Sequence, residues 1–356
     1  MKQISFEEVL VDKKAKVWPI IEKYLDSLIK FPDYCQIPKK YFSIAEFHQK
    51  MVADYPQRQG KYLRPTLVLL TASAMGYPEE KSRQTAAAMQ TSEEWMLNHD
   101  DIEDDSIQRR GKPALHRIYG KELAINAGDA LHTVMWRILR DNLKVVGEEK
   151  GLEIINEFLM ILDRTIFGQT VEIKWTQEAK TDLTDEDILF ILESKTGYYT
   201  IAGPMRLGAI LAGATNKQLA DIYEFGKILG RAFQIVDDLL DLTGNFKGRK
   251  KQPGNDIYEG KRTIMLTHLF RTISGENKKK LMVILEKPRE KKTKNEVTWV
   301  ISKMKESGSL EYGRKMAEDF AKQAEKIFDK KLGFLKNEPA RSQIKAGIDF
   351  IINRAY

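Results

Sequence analysis

Between Phe233 and Leu242 the chain sets Gln234, Asp237, Asp238 and Asp241 at the i, i+3, i+4, i+7 spacing that defines one face of a helix. That face is normally the apolar stripe a helix buries. Here Phe233, Ile235, Val236, Leu239, Leu240 and Leu242 fill the rest of the circumference, so the helix is a buried one and takes its carboxylates with it. Buried carboxylates need partners, and like charges one turn apart repel unless they share a cation. The same D-D-x-x-D spacing occurs upstream, in Asp100-Asp101-Ile102-Glu103-Asp104-Asp105. A single copy is most simply a solvated acidic patch. Two copies, one inside an apolar helix, point instead to facing clusters that hold magnesium, an ion that usually carries a substrate's phosphates.

The rest of the chain is helical in pattern. Apolar residues recur at three- and four-residue spacing through Trp18–Ile29, Tyr62–Met75, Arg83–Glu103, Leu123–Val146 and Leu152–Ile173. The same holds for Asp185–Leu211, Lys217–Leu242, Arg262–Thr272, Glu296–Lys305 and Leu310–Leu335. Two-residue alternation is nearly absent. The spacing predicts an all-α fold in one domain over 1–356, with 1–53 as an N-terminal helical layer on a core of 54–356. Loops are expected at Gly111-Lys112-Pro113, at Gly244–Gly254 and at Glu286–Asn295, the last as a solvated, Lys-rich surface loop.

Composition narrows the partners. A net charge of +7 attracts phosphorylated ligands, but no basic-aromatic stripe or nucleic-acid motif accompanies it, so no nucleic-acid partner is expected. The longest apolar stretch, around Leu67 to Met75, is too short to span a bilayer, and charged residues interrupt any secretory signal in the first positions. The single cysteine, Cys35, suits a reducing compartment, and a cytoplasmic location is expected. Basic residues cluster beside the acids. Lys61 and Arg64 lie three apart in Gly60-Lys61-Tyr62-Leu63-Arg64-Pro65, Arg109-Arg110-Gly111 follows the first cluster, and Lys251 and Lys261 bracket Asp256 after the second. Each alone is an ordinary surface charge; with two magnesium-type clusters they outline a cavity suited to diphosphates.

Taken in order, these motifs resemble the trans-prenyl diphosphate synthases. Gly60–Pro65 is similar to that family's G-K-x-x-R-P segment, and His99–Asp104 followed by Arg109-Arg110-Gly111 to its first aspartate-rich motif. Gly168-Gln169, Lys195-Thr196-Gly197, Phe233–Asp241 and Lys251 to Lys261 match further blocks. The resemblance implies an isoprenoid-synthase fold, a single large helical bundle around a central cavity with its catalytic core over 54–356, a homodimer, and head-to-tail condensation of isopentenyl diphosphate with an allylic diphosphate. In it, Asp100, Asp101, Asp104, Asp237, Asp238 and Asp241 would bind magnesium, three ions in all. Arg109, Lys195, Lys251 and Lys261 would hold the allylic diphosphate, and Lys61, Arg64 and Arg110 isopentenyl diphosphate. Dipoles near Lys195, Thr196 and Gln234 would steady the allylic cation.

In this family the side chains before the first cluster set product length. Trp95 and Met96, five and four positions before Asp100, lie one turn below the metal site. A bulky Trp95 implies a floor and a short product, C15 to C20. Two departures stand out: Glu93 occupies a position that usually carries His or Gln, and Glu172 one that commonly carries Asp. An anion facing a diphosphate is unfavourable, so Glu93 is expected to pair with a basic neighbour. Two other readings share parts of this pattern. A class I terpene cyclase usually lacks Asp241, Lys61, Arg64 and Arg110, and a non-catalytic partner subunit typically loses the aspartates that this chain keeps.

Overall fold

The computed structural model describes residues 5–243 and 253–352. Helices α1 (Phe6–Leu25), α2 (Phe42–Gln57), α3 (Leu63–Ala74) and α4 (Glu79–Glu103) come first. A tight hairpin of β1 (Gln108–Arg109) and β2 (Lys112–Pro113) follows, the one sheet among the described residues. Next come α5 (Leu115–Tyr119), α6 (Lys121–Val146) and α7 (Glu148–Gln177). Helix α8 (Asp185–Ile191) passes through a π-helical stretch, Leu192–Ala202, into α9 (Gly203–Leu211). Helices α10 (Asn216–Thr243), α11 (Asn255–Glu259), α12 (Ile264–Thr272) and α13 (Gly275–Glu286) lead to α14 (Lys294–Glu306), α15 (Ser309–Lys331) and α16 (Ala340–Ile352). The fold is all-α.

By contacts the chain divides into two compact units. One comprises Met1–Glu157, Pro204–Thr215 and Leu335–Ile344; the other comprises Phe158–Gly203, Asn216–Phe334 and Lys345–Tyr356. In the first, α4 lies against α6, α3 and α1. The small residues Ala86, Ala87 and Ala88 are fully buried and let these neighbours close in. Helix α1 starts at Phe6, well before the expected Trp18, because Ser5 and Glu8 form a reciprocal capping box and hold the first turn. Its stripe Val9, Leu10, Val17, Ile21 and Leu25 is buried as α1 packs on α3 and α4, so it forms part of this unit's core. Each such side chain withdrawn from water contributes about 1.5–3 kcal/mol. Helix α2 escaped the periodicity because Phe42, Ile44 and Phe47 remain exposed.

In the second unit α10 packs on the π-helical stretch and on α15. A Cβ on Gly230 would lie 2.2 Å from the Cα of Gly197, so the two backbones touch directly and only glycine fits. Around this contact Ile188, Ile235, Leu239, Met265, Leu269 and Leu281 build a continuous core. The stretch 286–295, expected to be a solvated loop, is in part buried. Lys292 is only 7% exposed and donates to the Tyr258 carbonyl at 2.9 Å, while Arg289 donates to Glu259 at 2.9 Å. The loop therefore pins α11, which its charged composition gave no means of foreseeing.

Candidate functional site

The first acidic cluster closes α4. Asp101 points inward and is fully buried. It accepts the Tyr55 hydroxyl at 2.5 Å and the Arg109 Nε at 2.9 Å, with Arg109 Nη2 closer still. Arg109 Nη2 also reaches Asp100 at 3.3 Å. Burial works against the Arg109 charge, but its hydrogen bonds to Asp101 and the fields of Asp101 and Asp100 outweigh it and raise the pKa. Asp100 and Asp104 stay half-buried, one turn apart. Arg109, expected on a diphosphate, here holds the cluster itself.

Three further cations expected on isopentenyl diphosphate belong to the same unit. Tyr62 adopts a left-handed backbone (φ 61°) that turns the chain into α3, with Lys61 just before the helix and Arg64 in its first turn. The hairpin turn carries Arg110, itself left-handed (φ 53°). Its guanidinium lies so close over Gly60 that a Cβ there would meet Nη2 at 2.7 Å. Arg110 grips Glu94 through both nitrogens, at 2.8 and 3.1 Å, and donates to the Tyr55 carbonyl at 3.0 Å. Glu93 pairs with Arg64 at 3.1 Å and with Arg110 at 3.7 Å. Thus Glu93 does meet basic neighbours. Burial pushes Glu94 up to about 7, with Glu93 adding to the shift and Arg110 and Gln90 opposing it.

Trp95, next along α4, is 8% exposed and lies flat on His132 of α6, with centroids 4.0 Å apart and planes 13° from parallel. Trp136 Nε1 donates to His132 Nε2 at 2.9 Å, which fixes His132 as the neutral acceptor. Burial lowers the His132 pKa in the same sense. Met96 is half-buried beside Trp95.

The second unit carries the α10 cluster. Gln234 donates to Asp238 at 2.8 Å and accepts the Thr196 hydroxyl at 2.7 Å, tying the π-helical stretch to the acids. Asp241 accepts the backbone N–H of Asp256 at 3.0 Å. Lys195 pairs with Glu172, and Lys261 with Glu259 at 2.9 Å. Asp238, Asp241, Asp256, Glu172 and Glu259 thus outnumber the nearby lysines. Burial pushes Asp238 up to about 7, helped by Asp237 and Glu172 against the Gln234 hydrogen bond and the Lys261 charge. Burial, with Glu259 adding, also raises Asp241, and burial together with Asp241 and Asp238 lifts Asp256 well above the ordinary range. These are the all-oxygen donors a hard divalent cation takes, although among the described residues no three of them converge closely enough to hold one as they stand. Lys251 lies outside the described residues.

Sequence reasoning passed over Tyr55, Glu94 and Glu259 as site residues. Tyr55 carries no local signal, since its hydroxyl meets Asp101 only after α2 folds onto α4. Glu94 was visible only as the neighbour of an unusual Glu93, and Glu259 only by its place just before Lys261.

The polyprenyl synthetase family model matches residues 45–304. A short chain isoprenyl diphosphate synthase of Methanothermobacter thermautotrophicus is 30% identical over 83% of this chain and 87% of its own length. A geranylfarnesyl diphosphate synthase of Natronomonas pharaonis is 31% identical over the same shares of the two chains. Among solved structures, a geranylgeranyl pyrophosphate synthetase from Pyrococcus horikoshii superposes with a TM-score of 0.80 at 28% identity, covering 98% of each chain. With a family model spanning most of its length and relatives 30 and 31% identical over 83% of it, this chain belongs to the polyprenyl synthetase family and is a prenyltransferase.

Proposed function

We propose that the protein condenses isopentenyl diphosphate head-to-tail with dimethylallyl, geranyl or farnesyl diphosphate to give an all-trans prenyl diphosphate of C15 to C20. The observation that carries the reading is the crowding of buried carboxylates around Asp238, oxygen donors of the kind a divalent cation takes. Magnesium, when bound, supplies Lewis-acid and electrostatic neutralisation of the departing diphosphate. Asp100, Asp101, Asp104, Asp237, Asp238 and Asp241 are the residues that would hold it, three ions in all. Lys195, Lys251 and Lys261 neutralise the allylic diphosphate as its C–O bond breaks, and Arg109 joins them by exchanging Asp101 for phosphate oxygens.

Lys61, Arg64 and Arg110 hold isopentenyl diphosphate. Thr196 and Gln234, already hydrogen-bonded to each other, turn oxygen dipoles toward the allylic cation while the isopentenyl double bond attacks. The new cation then loses a proton from the adjacent carbon to the released diphosphate. No protein nucleophile enters. Trp95 supports the short product: the matched relatives include short-chain and geranylfarnesyl synthases, so membership alone leaves length open.

Leu123, Ile125, Val145 and Leu152 are exposed apolar side chains on α6 and the start of α7, which suits a homodimer. No helix among the described residues is long and apolar enough to cross a membrane, in keeping with a cytoplasmic enzyme. The deciding experiment incubates purified protein with magnesium, isopentenyl diphosphate and each allylic primer. Linear prenyl diphosphates are expected. Cyclic hydrocarbons would make it a terpene cyclase, and inertness a partner subunit.

A further inference from the structure

The cations proposed for isopentenyl diphosphate are not waiting empty. Two of them, Arg64 and Arg110, already pair with two carboxylates, Glu93 and Glu94. Glu94 is fully buried, and its carboxylate faces the Arg110 guanidinium in fork-to-fork geometry, at 2.8 and 3.1 Å. Gln90 donates to it at 2.7 Å from one turn earlier on α4. Such a pair is the strongest positioning device available to a guanidinium, but it also spends the charge a diphosphate would use. A polyanion arriving at Arg110 would stand beside a buried anion that water cannot screen.

We propose that Glu94 is a positioning residue that holds Arg110 in place in the free enzyme and takes up one proton from solvent when isopentenyl diphosphate binds. This deepens the reading above and rests on it. The neutral carboxyl still accepts through its carbonyl oxygen, and its new O–H donates to the buried, unbonded Oε1 of Gln90 once that amide turns over, while Arg110 turns its positive charge to the phosphate. The charged and titratable groups facing Glu94 are Arg110 from the hairpin, Glu93 on its own helix and Tyr62 from the start of α3. Tyr62 is fully buried and held far above the ordinary phenol range by burial and by the two glutamates, so it stays neutral and cannot give or take this proton. Glu93 differs from Glu94 in setting: its side chain is 13% exposed, and its buried Oε2 meets Arg64 at 3.1 Å. Burial already inclines the Glu94 carboxylate toward protonation, so a small added repulsion tips it.

Below about 7 Glu94 is mostly protonated before the ligand comes, and binding draws in little further proton. Above about 7 the free carboxylate is ionised and the bound one is not, so binding takes up a proton and weakens as pH rises. The diphosphate's own last ionisation works in the opposite direction and at lower pH, where binding releases protons.

Titration calorimetry of isopentenyl diphosphate into the whole protein, in two buffers of different ionisation enthalpy, counts the protons directly. About one proton taken up per ligand is expected at pH 8, falling toward none near pH 6. Glu94→Gln, which keeps an amide oxygen on Arg110, should still bind isopentenyl diphosphate but without uptake. Binding by the wild-type protein with no uptake at pH 8 overturns the proposal, as does uptake that survives in Glu94→Gln. A wild-type protein that binds no isopentenyl diphosphate at all overturns the substrate reading and this inference with it, so the two failures are told apart by the binding isotherm. Because the wild-type count alone can refute the idea, a Glu94→Gln chain that fails to fold leaves the test intact.

Discussion

Trp95 and His132 lie face to face, ring centroids 4.0 Å apart, and the Trp136 indole N–H closes the ladder on His132 Nε2 at 2.9 Å. A stacked pair of this kind is worth about 0.5–1.5 kcal/mol beyond the area it buries. It also fixes the orientation of the Trp95 ring, which a lone tryptophan on α4 would choose among rotamers. If Trp95 is the floor beneath the growing chain, the ladder is what keeps that floor level.

Trp95→Ala is therefore expected to lengthen the main product by one or more five-carbon units, measured by chromatography of the dephosphorylated alcohols. His132→Ala should do the same in part, by releasing the ring while leaving it present. A wild-type product profile in both variants would remove the floor role.

Glu93 meets Arg64 at 3.1 Å and Arg110 at 3.7 Å. Glu93→His would withdraw the charge that pairs with Arg64 and adds to the field at Arg110, and set an imidazole in its place. The KM for isopentenyl diphosphate should rise roughly tenfold, about 1.4 kcal/mol of lost binding, with kcat less affected. An unchanged KM would mean that the arginines are oriented by their other contacts.

Much of this was legible in the chain. Period-3.6 patterning gave the all-α fold and the bounds of α10 nearly to the residue, because a buried stripe must repeat with the helix. It missed the first turns of α1, where the capping box sits among charged residues whose role is local, and it missed α13, whose lysines hide a short buried edge of Leu281, Ile284 and Leu285. The acidic motifs announced themselves by spacing. What they lean on did not: Asp101 is held by Arg109 and Tyr55, Glu94 by Arg110, and these pairings join residues from separate elements. Spacing along one helix carries no information about such partners. The π-helical stretch was equally hidden, since it arises where Gly197 must pass Gly230.

That crossing gives a stability test. A Cβ at Gly230 would lie 2.2 Å from Gly197 Cα and 2.8 Å from its nitrogen, both backbone atoms with no rotamer to yield. Gly230→Ala must push the π-helical stretch off α10, a cost of about 1–3 kcal/mol or more. The melting temperature should fall, and the Thr196–Gln234 hydrogen bond, at 2.7 Å in the same crossing, should loosen with it and lower kcat. A variant that melts like the wild type would show that the crossing has slack.

Lys292 supplies a pH test. Burial lowers its pKa to about 8, and Arg262 and Arg289 push in the same direction. Between about 8 and the ordinary lysine value of 10.5 the folded chain has released this proton while the unfolded chain still holds it. The unfolded state then binds more protons, so this residue's contribution to stability increases as pH rises through that window, and its full cost is felt below about 8. Lys292→Met removes the buried charge along with one hydrogen bond to the Tyr258 carbonyl. The melting temperature of wild type minus that of Lys292→Met should therefore climb steadily from pH 7 to pH 10, cancelling effects common to both chains. A difference that stays flat across that range would mean Lys292 keeps its proton in the fold, held by contacts stronger than the neighbouring arginines' repulsion.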